Sequence, residues 1–219
     1  MLKLICLLKG ISMQFDNIPK GLNRYLNNVL NIIRDGIGIE KANFNIKDNE
    51  NKKNQVLTDS FNIIGTQNAS MWIGVQKEHI GLNSFREDIY FYLNDDFKTR
   101  IFYVEGKRIP KSKSLEDEDY VNGLSVTGSP CGGIERFILG KHGTPDLMTN
   151  YGMIGYIESK AIEDWKIKVN DKISSIYPKY DGTLKNTSYI NEFLSSHFFD
   201  CHIKTPFNIH HFWIDLTTI

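Results

Sequence analysis

Apolar positions along this chain recur with two different periods. Over residues 17–34, Leu22, Leu26, Val29, Leu30 and Ile33 fall three and four apart, predicting an amphipathic helix that Gly36 and Gly38 would cap. Val56, Leu57, Phe61 and Ile64 predict a second one-sided helix over 49–64. The apolar run 71–77 reads as a strand. Two further strands, 88–93 and 100–108, flank the polar turn 94–99 and form a β-hairpin. A loop containing Gly123, Gly128, Pro130, Gly132 and Gly133 leads into a helix over 134–139, and 153–157 reads as a strand. Trp165, Val169 and Ile173 lie four apart on a helix predicted over 161–173; 176–188 reads as a loop and 207–214 as a last strand. The order helix, strand, hairpin, helix, strand, helix, strand predicts an α/β fold, a central mixed β-sheet flanked by helices. Residues 1–47 are expected to form an N-terminal helical extension and 48–219 the α/β domain. No internal repeat is present.

Bulk properties narrow the picture only slightly. The chain has 219 residues, 41% hydrophobic and 24% charged, enough for a sizeable core. Lys plus Arg equals Asp plus Glu at 26 each, so no global basic field marks a nucleic-acid binder. The first ten residues carry a lysine and an apolar patch, but Lys9 interrupts the patch too soon for a membrane span, and Met13 is an alternative start. No membrane partner is expected. Cys6, Cys131 and Cys201 are odd in number and scattered, which suggests a reducing, cytoplasmic setting rather than a disulfide framework. Cys201-His202 precedes His210-His211, but the spacing fits no zinc finger, and an alternating strand explains both later histidines.

The hairpin carries the chemistry. Glu105 and Lys107, two apart on a strand, project to one face. Pairing Leu93 with Arg100 places Asp88 opposite Glu105, with β-carbons roughly 5 Å apart. Two carboxylates so close need a compensating charge, and a hard cation such as Mg²⁺ takes such ligands together with phosphate oxygens. The alternative is an ion pair at a sheet edge, where charge deters aggregation. Glu158-Ser-Lys160 repeats the acid–x–lysine spacing after an apolar run but lacks an acidic partner strand. Glu78 is a further nearby acid, read as a loop residue. Lys98, Arg100, Arg108, Lys111 and Lys113 cluster around the hairpin and suit phosphate contacts, or equally a solvated charged loop. Arg136 is a further candidate for a phosphate, its alternative an ordinary surface residue. The glycines before residue 134 match no nucleotide fingerprint and read as a connection, although a helix entry can receive a phosphate.

Asp88, followed by the hairpin into Val104-Glu105-Gly106-Lys107, resembles the metal site of the PD-(D/E)XK nucleases, whose fold is restriction-endonuclease-like. The resemblance covers about residues 48–180 and its motifs are short. It implies that Asp88, Glu105 and the Gly106 carbonyl hold Mg²⁺, that Lys107 assists a nucleophilic water, and that Glu50, at the start of the second helix, completes the catalytic set. Glu50 also suits a first helical turn as a helix-favouring acid. The proline of the family name is not met, because Glu87 precedes Asp88. The implied function is Mg²⁺-dependent hydrolysis of DNA phosphodiesters, with RNA left open, in restriction or phage defence. A homodimer or a partner subunit is compatible with it. The competing readings are a non-catalytic nucleic-acid-binding or interaction protein on a nuclease-like fold, and a purely structural partner subunit.

Overall fold

A computed structural model describes residues 23–67, 72–77, 88–110, 119–125, 127–142, 148–200 and 206–217. Helix α1 (Asn23–Glu40) leads through a 3-10 turn into α2 (Glu50–Gln67). Strands β1 (Ile73–Lys77), β2 (Ile89–Leu93) and β3 (Arg100–Ile109) follow, then α3 (Gly133–Ile138), β4 (Asn150–Ile157) and α4 (Ile162–Ile176). Strands β5 (Lys185–Asn186), β6 (Glu192–Phe198) and β7 (Pro206–Asp215) end the described chain. All seven strands form one sheet in the order β1-β2-β3-β4-β7-β6-β5. The sheet is mixed: β3, β4 and β7 are parallel neighbours, and the outer pairs on both sides are antiparallel. The predicted α/β class with a central mixed sheet flanked by helices is therefore present. No described helix is long and apolar enough to cross a membrane.

Two apolar layers sandwich the sheet. On one face α1 and α2 bury Val29, Ile33, Leu57 and Phe61 against Ile73, Phe91, Phe102 and Ile154. On the other, α3 and α4 bury Phe137, Trp165 and Val169 against Tyr103, Met153 and Trp213. Helix α1, assigned by sequence to an extension over 1–47, thus shares a core with the sheet. It also runs through Gly36 and Gly38 instead of stopping there. A β-carbon at Gly36 would collide with the Phe61 ring, so this glycine serves the close crossing of α1 and α2 rather than a cap.

The hairpin register departs from expectation at one end only. A bulge between Phe91 and Tyr92 sets Tyr92, not Leu93, opposite Arg100. Beyond it, Phe91 faces Phe102 and Ile89 faces Val104, the register expected up to the residue next to Asp88. Strands β5 and β6 were not anticipated. In β6 Ser195 and His197 are buried on one face and Glu192 on the other, so polar residues at buried positions hide the apolar alternation.

Candidate active site at the open edge of strand β3

Strand β3 outruns β2. Paired with β2 through Val104, it continues to Ile109 with β4 alone as its partner. Its Gly106 and Arg108 amides would face an empty edge, and buried amides need acceptors. Two carboxylates supply them: Asp88 Oδ2 accepts the Gly106 N–H at 2.8 Å, and Glu50 Oε2 accepts the Arg108 N–H at 3.1 Å. The N–H and C=O of one strand residue point the same way, so the Gly106 carbonyl opens to this edge as well. Two candidate acids, from the mouth of β2 and the first turn of α2, are therefore fixed by successive outward amides of one strand.

Glu105 and Lys107 lie side by side on β3, both buried. Lys107 Nζ is 2.8 Å from Glu105 Oε1 and 3.6 Å from Glu50 Oε1. Arg136, from α3, donates to the same Glu105 oxygen at 2.8 Å. Glu105 Oε2 lies 3.5 Å from His142 Nε2 and is a buried atom without a hydrogen-bond partner among the described residues. The predicted four, Asp88, Glu105, Lys107 and Glu50, are thus brought together.

Their protonation states are driven apart. Burial, then the neighbouring charge of Glu105, pushes the Asp88 carboxyl up to about 8. Burial acts the same way on Glu105, but Lys107, His142 and Arg136 outweigh it and hold the group down at about 2. Burial also raises Glu50, with Lys107 opposing it. Lys107 is desolvated too, yet Glu105, Glu50 and Asp88 raise its pKa above that of an ordinary lysine. Near neutral pH the site holds an ionised Glu105, a fixed ammonium and an Asp88 that is largely protonated. A cation at Asp88 and Glu105 would satisfy the orphaned Glu105 oxygen and favour the ionised form of Asp88, so the donor set fits a hard metal. Among the described residues no three His, Cys, Asp or Glu side chains already form a metal cage.

A supporting layer lies beneath. Asn54, one turn after Glu50 on α2, sits against Gly106, where a β-carbon would strike its amide. Its Oδ1 accepts the Tyr156 hydroxyl at 2.7 Å. Glu158, the second acid–x–lysine candidate, is committed to ion pairing. Lys53 Nζ reaches its Oε1 at 2.8 Å, and Arg108 grips both its oxygens at 2.9 and 2.5 Å. Lys53 also donates to the Asp48 carbonyl. The spacing from Glu50 to Asn54 places both on one helix face and could have flagged Asn54; nothing in the sequence singles out His142.

The basic residues divide. Arg108 is held by Glu158 and Arg136 by Glu105, so both are partners of buried acids. Lys98 and Arg100 are exposed beside aromatic rings. The amides opening α3 are already taken, Gly133, Ile134 and Glu135 donating to the carbonyls of Asp119, Tyr120 and Val121, which leaves none there for a phosphate. His211 is buried between Tyr120 and Ser195, and burial lowers its pKa well below the usual value, consistent with its reading as a strand residue. Lys111, Lys113, Glu78, Cys6, Cys201, His202 and Met13 lie outside the described residues. No protein-family model, curated protein or solved structure matches the chain.

Proposed function

We propose that the chain is a Mg²⁺-dependent nuclease hydrolysing DNA phosphodiester bonds, with the PD-(D/E)XK arrangement that its hairpin resembles. One observation carries the reading. Asp88 and Glu50 are anchored on the open-edge amides of the strand that also bears Glu105, Gly106 and Lys107. The topology supports it as well: an acid-bearing helix, an antiparallel meander β1–β2–β3 and a helical crossover to parallel β4 surround that edge. Asp88, Glu105 and the Gly106 carbonyl would hold the ion. Bound there, Mg²⁺ supplies an acidified water and charge neutralisation for the phosphorane. Lys107, kept protonated and tethered by two carboxylates, donates a hydrogen bond and opposes charge developing on the phosphoryl oxygens. Glu50, its pKa raised by burial, would accept a proton leaving the site. Restriction or phage defence is the setting that this resemblance implies.

The test is cleavage of plasmid and oligonucleotide substrates with Mg²⁺ or EDTA, beside Glu105→Ala. Metal-dependent cutting is expected from the parent and a loss of at least ~100-fold from the variant. Cutting that persists unchanged in Glu105→Ala overturns the proposal. One observation favours a second reading, a non-catalytic nucleic-acid binder: Lys107 and Arg136 already occupy one oxygen of Glu105. Retained DNA binding without cleavage under any metal would select it.

A further inference from the structure

The face of the sheet that carries the carboxylates continues away from them as a row of aromatic rings. Alternate residues of β2 share a face, so Tyr90 and Tyr92 follow Asp88, and Tyr90 lies opposite Tyr103, two residues before Glu105. Gly74 of β1 is paired with Tyr92, and a β-carbon there would run into the Tyr92 ring. The glycine lets that ring lie across β1 toward Trp72. Ring centroids are 5.8 Å apart from Trp72 to Tyr92 and 5.9 Å from Tyr92 to Tyr90. All three rings are half-buried.

Cations lie over the same row. Arg100 sits 4.2 Å from the Tyr90 centroid, and Lys98 Nζ is 5.3 and 5.2 Å from those of Trp72 and Tyr92. Lys98 has a φ of 50°, a left-handed conformation usually left to glycine or asparagine, so the turn accepts strain at the residue placing this cation. Of the two acids in the turn, Asp95 is turned inward to accept the Thr99 N–H at 2.8 Å, and Asp96 is exposed at the tip. The Tyr90 hydroxyl donates to Gln76 Oε1 at 2.8 Å, and Lys98 Nζ donates to Asn94 Oδ1 at 3.4 Å.

We propose that this row is a stacking track for an unpaired nucleic-acid strand, so that the substrate of the carboxylate site carries unpaired bases and is not a closed duplex. The substrate assignment rests on the nuclease reading; the track does not. Base stacking on an aromatic ring contributes about 1–3 kcal/mol per base, and guanidinium planes layered on rings extend such a surface. A closed duplex keeps its base faces to itself and gains nothing from the rings. With the chain's net charge at zero, general attraction to phosphates is weak and the rings decide between the two forms. The row ends at Asp88, so a strand lying on it brings a phosphate to the carboxylates.

The test uses the full chain in EDTA, where binding is read without cleavage. Oligo(dT) and oligo(U) of about 12 nucleotides are compared with a blunt duplex of equal length. Tighter binding of either strand than of the duplex, by ~10-fold or more, is expected, together with quenching of the parent protein's tryptophan fluorescence. Trp72→Ala with Tyr92→Ala should weaken strand binding by ~10-fold or more and duplex binding by less than ~3-fold, and Trp72→Phe should keep the affinity while removing the quench. Equal affinity for strand and duplex, or equal loss on both in the double variant, overturns the track even if Mg²⁺-dependent duplex cleavage is seen. So does self-association that the double variant abolishes while strand binding is unchanged, which assigns the face to a second copy. Strand preference in EDTA with no cleavage of any substrate in Mg²⁺ sinks the nuclease reading and leaves the track standing.

Discussion

Asp88 and Glu105 are neighbouring carboxylates with opposite titration behaviour, and their substitution should have opposite effects. Asp88 rises from an ordinary value of 3.8 to about 8, so the folded state holds its proton more tightly than the unfolded chain does. That advantage is complete below about pH 4 and is lost as pH rises through 8. In EDTA, Asp88→Asn should therefore match the parent's melting temperature at about pH 4 and exceed it progressively more up to pH 9, by ~10 °C or more. A difference independent of pH would show that Asp88 does not carry the strain. Glu105, held at about 2 against an ordinary 4.5, stabilises the fold above about pH 4.5 and loses that contribution as pH falls through 2. Glu105→Gln strips Lys107 of its nearest anion and should lower stability at pH 7 by about 3 kcal/mol, read by urea denaturation. Gly106 adds a steric prediction. Gly106→Ala should cost about 1–3 kcal/mol because the new methyl group strikes Asn54, and the cost should shrink when Asn54→Ala is already present. Undiminished loss in the double variant would mean that the backbone of β3, not the Asn54 amide, requires glycine.

At the scale of elements, what was legible is what local periodicity encodes. Helix α2, the hairpin strands and α4 announce themselves through Phe61, Ile89, Phe91, Val104 and Trp165, apolar residues at the period of their own element. The register of Ile89 with Val104, next to the site, was legible for a further reason: the ladder there survives the bulge at Tyr92, which only displaces the turn end. Strand β6 was illegible because its inward residues Ser195 and His197 bond to each other at 2.8 Å, with Ser195 also 2.7 Å from His211, replacing apolar contact by a buried polar chain. The end of α1 was misread because Gly36 answers to a partner helix, which no local pattern reveals. Within the site, local pattern singled out Asp88, Glu105 and Lys107, and the family resemblance added Glu50. Which cations would be internal was decided by partners distant in sequence, Glu158 for Arg108 and Glu105 for Arg136, and by the open edge of β3, a property of topology.

For the whole molecule, the question is whether α1 is an appendage or part of the body that holds the site. Its Arg34 makes a two-point fork to Glu192 on β6, both distances 2.8 Å, and stacks 3.7 Å from the Tyr189 ring. This joins the first described helix to the far antiparallel pair, while Val29 and Ile33 pack in the core that backs β2 and β3. Removing Arg34 leaves Glu192 largely buried with its charge uncompensated, which is more damaging than losing both partners. Arg34→Met should destabilise by about 3 kcal/mol, and Glu192→Gln in that background should recover a substantial part. Truncation to residues 48–219 removes α1, which shares with α2 the core containing Phe61, Ile73 and Phe91. Such a chain should lose the cooperative thermal transition seen by near-ultraviolet dichroism, and with it any Mg²⁺-dependent cleavage. A truncated chain that melts cooperatively within about 5 °C of the parent and still binds oligo(dT) would make α1 dispensable, and would restrict the body carrying the carboxylates to the sheet, α2 and the helices on the opposite face.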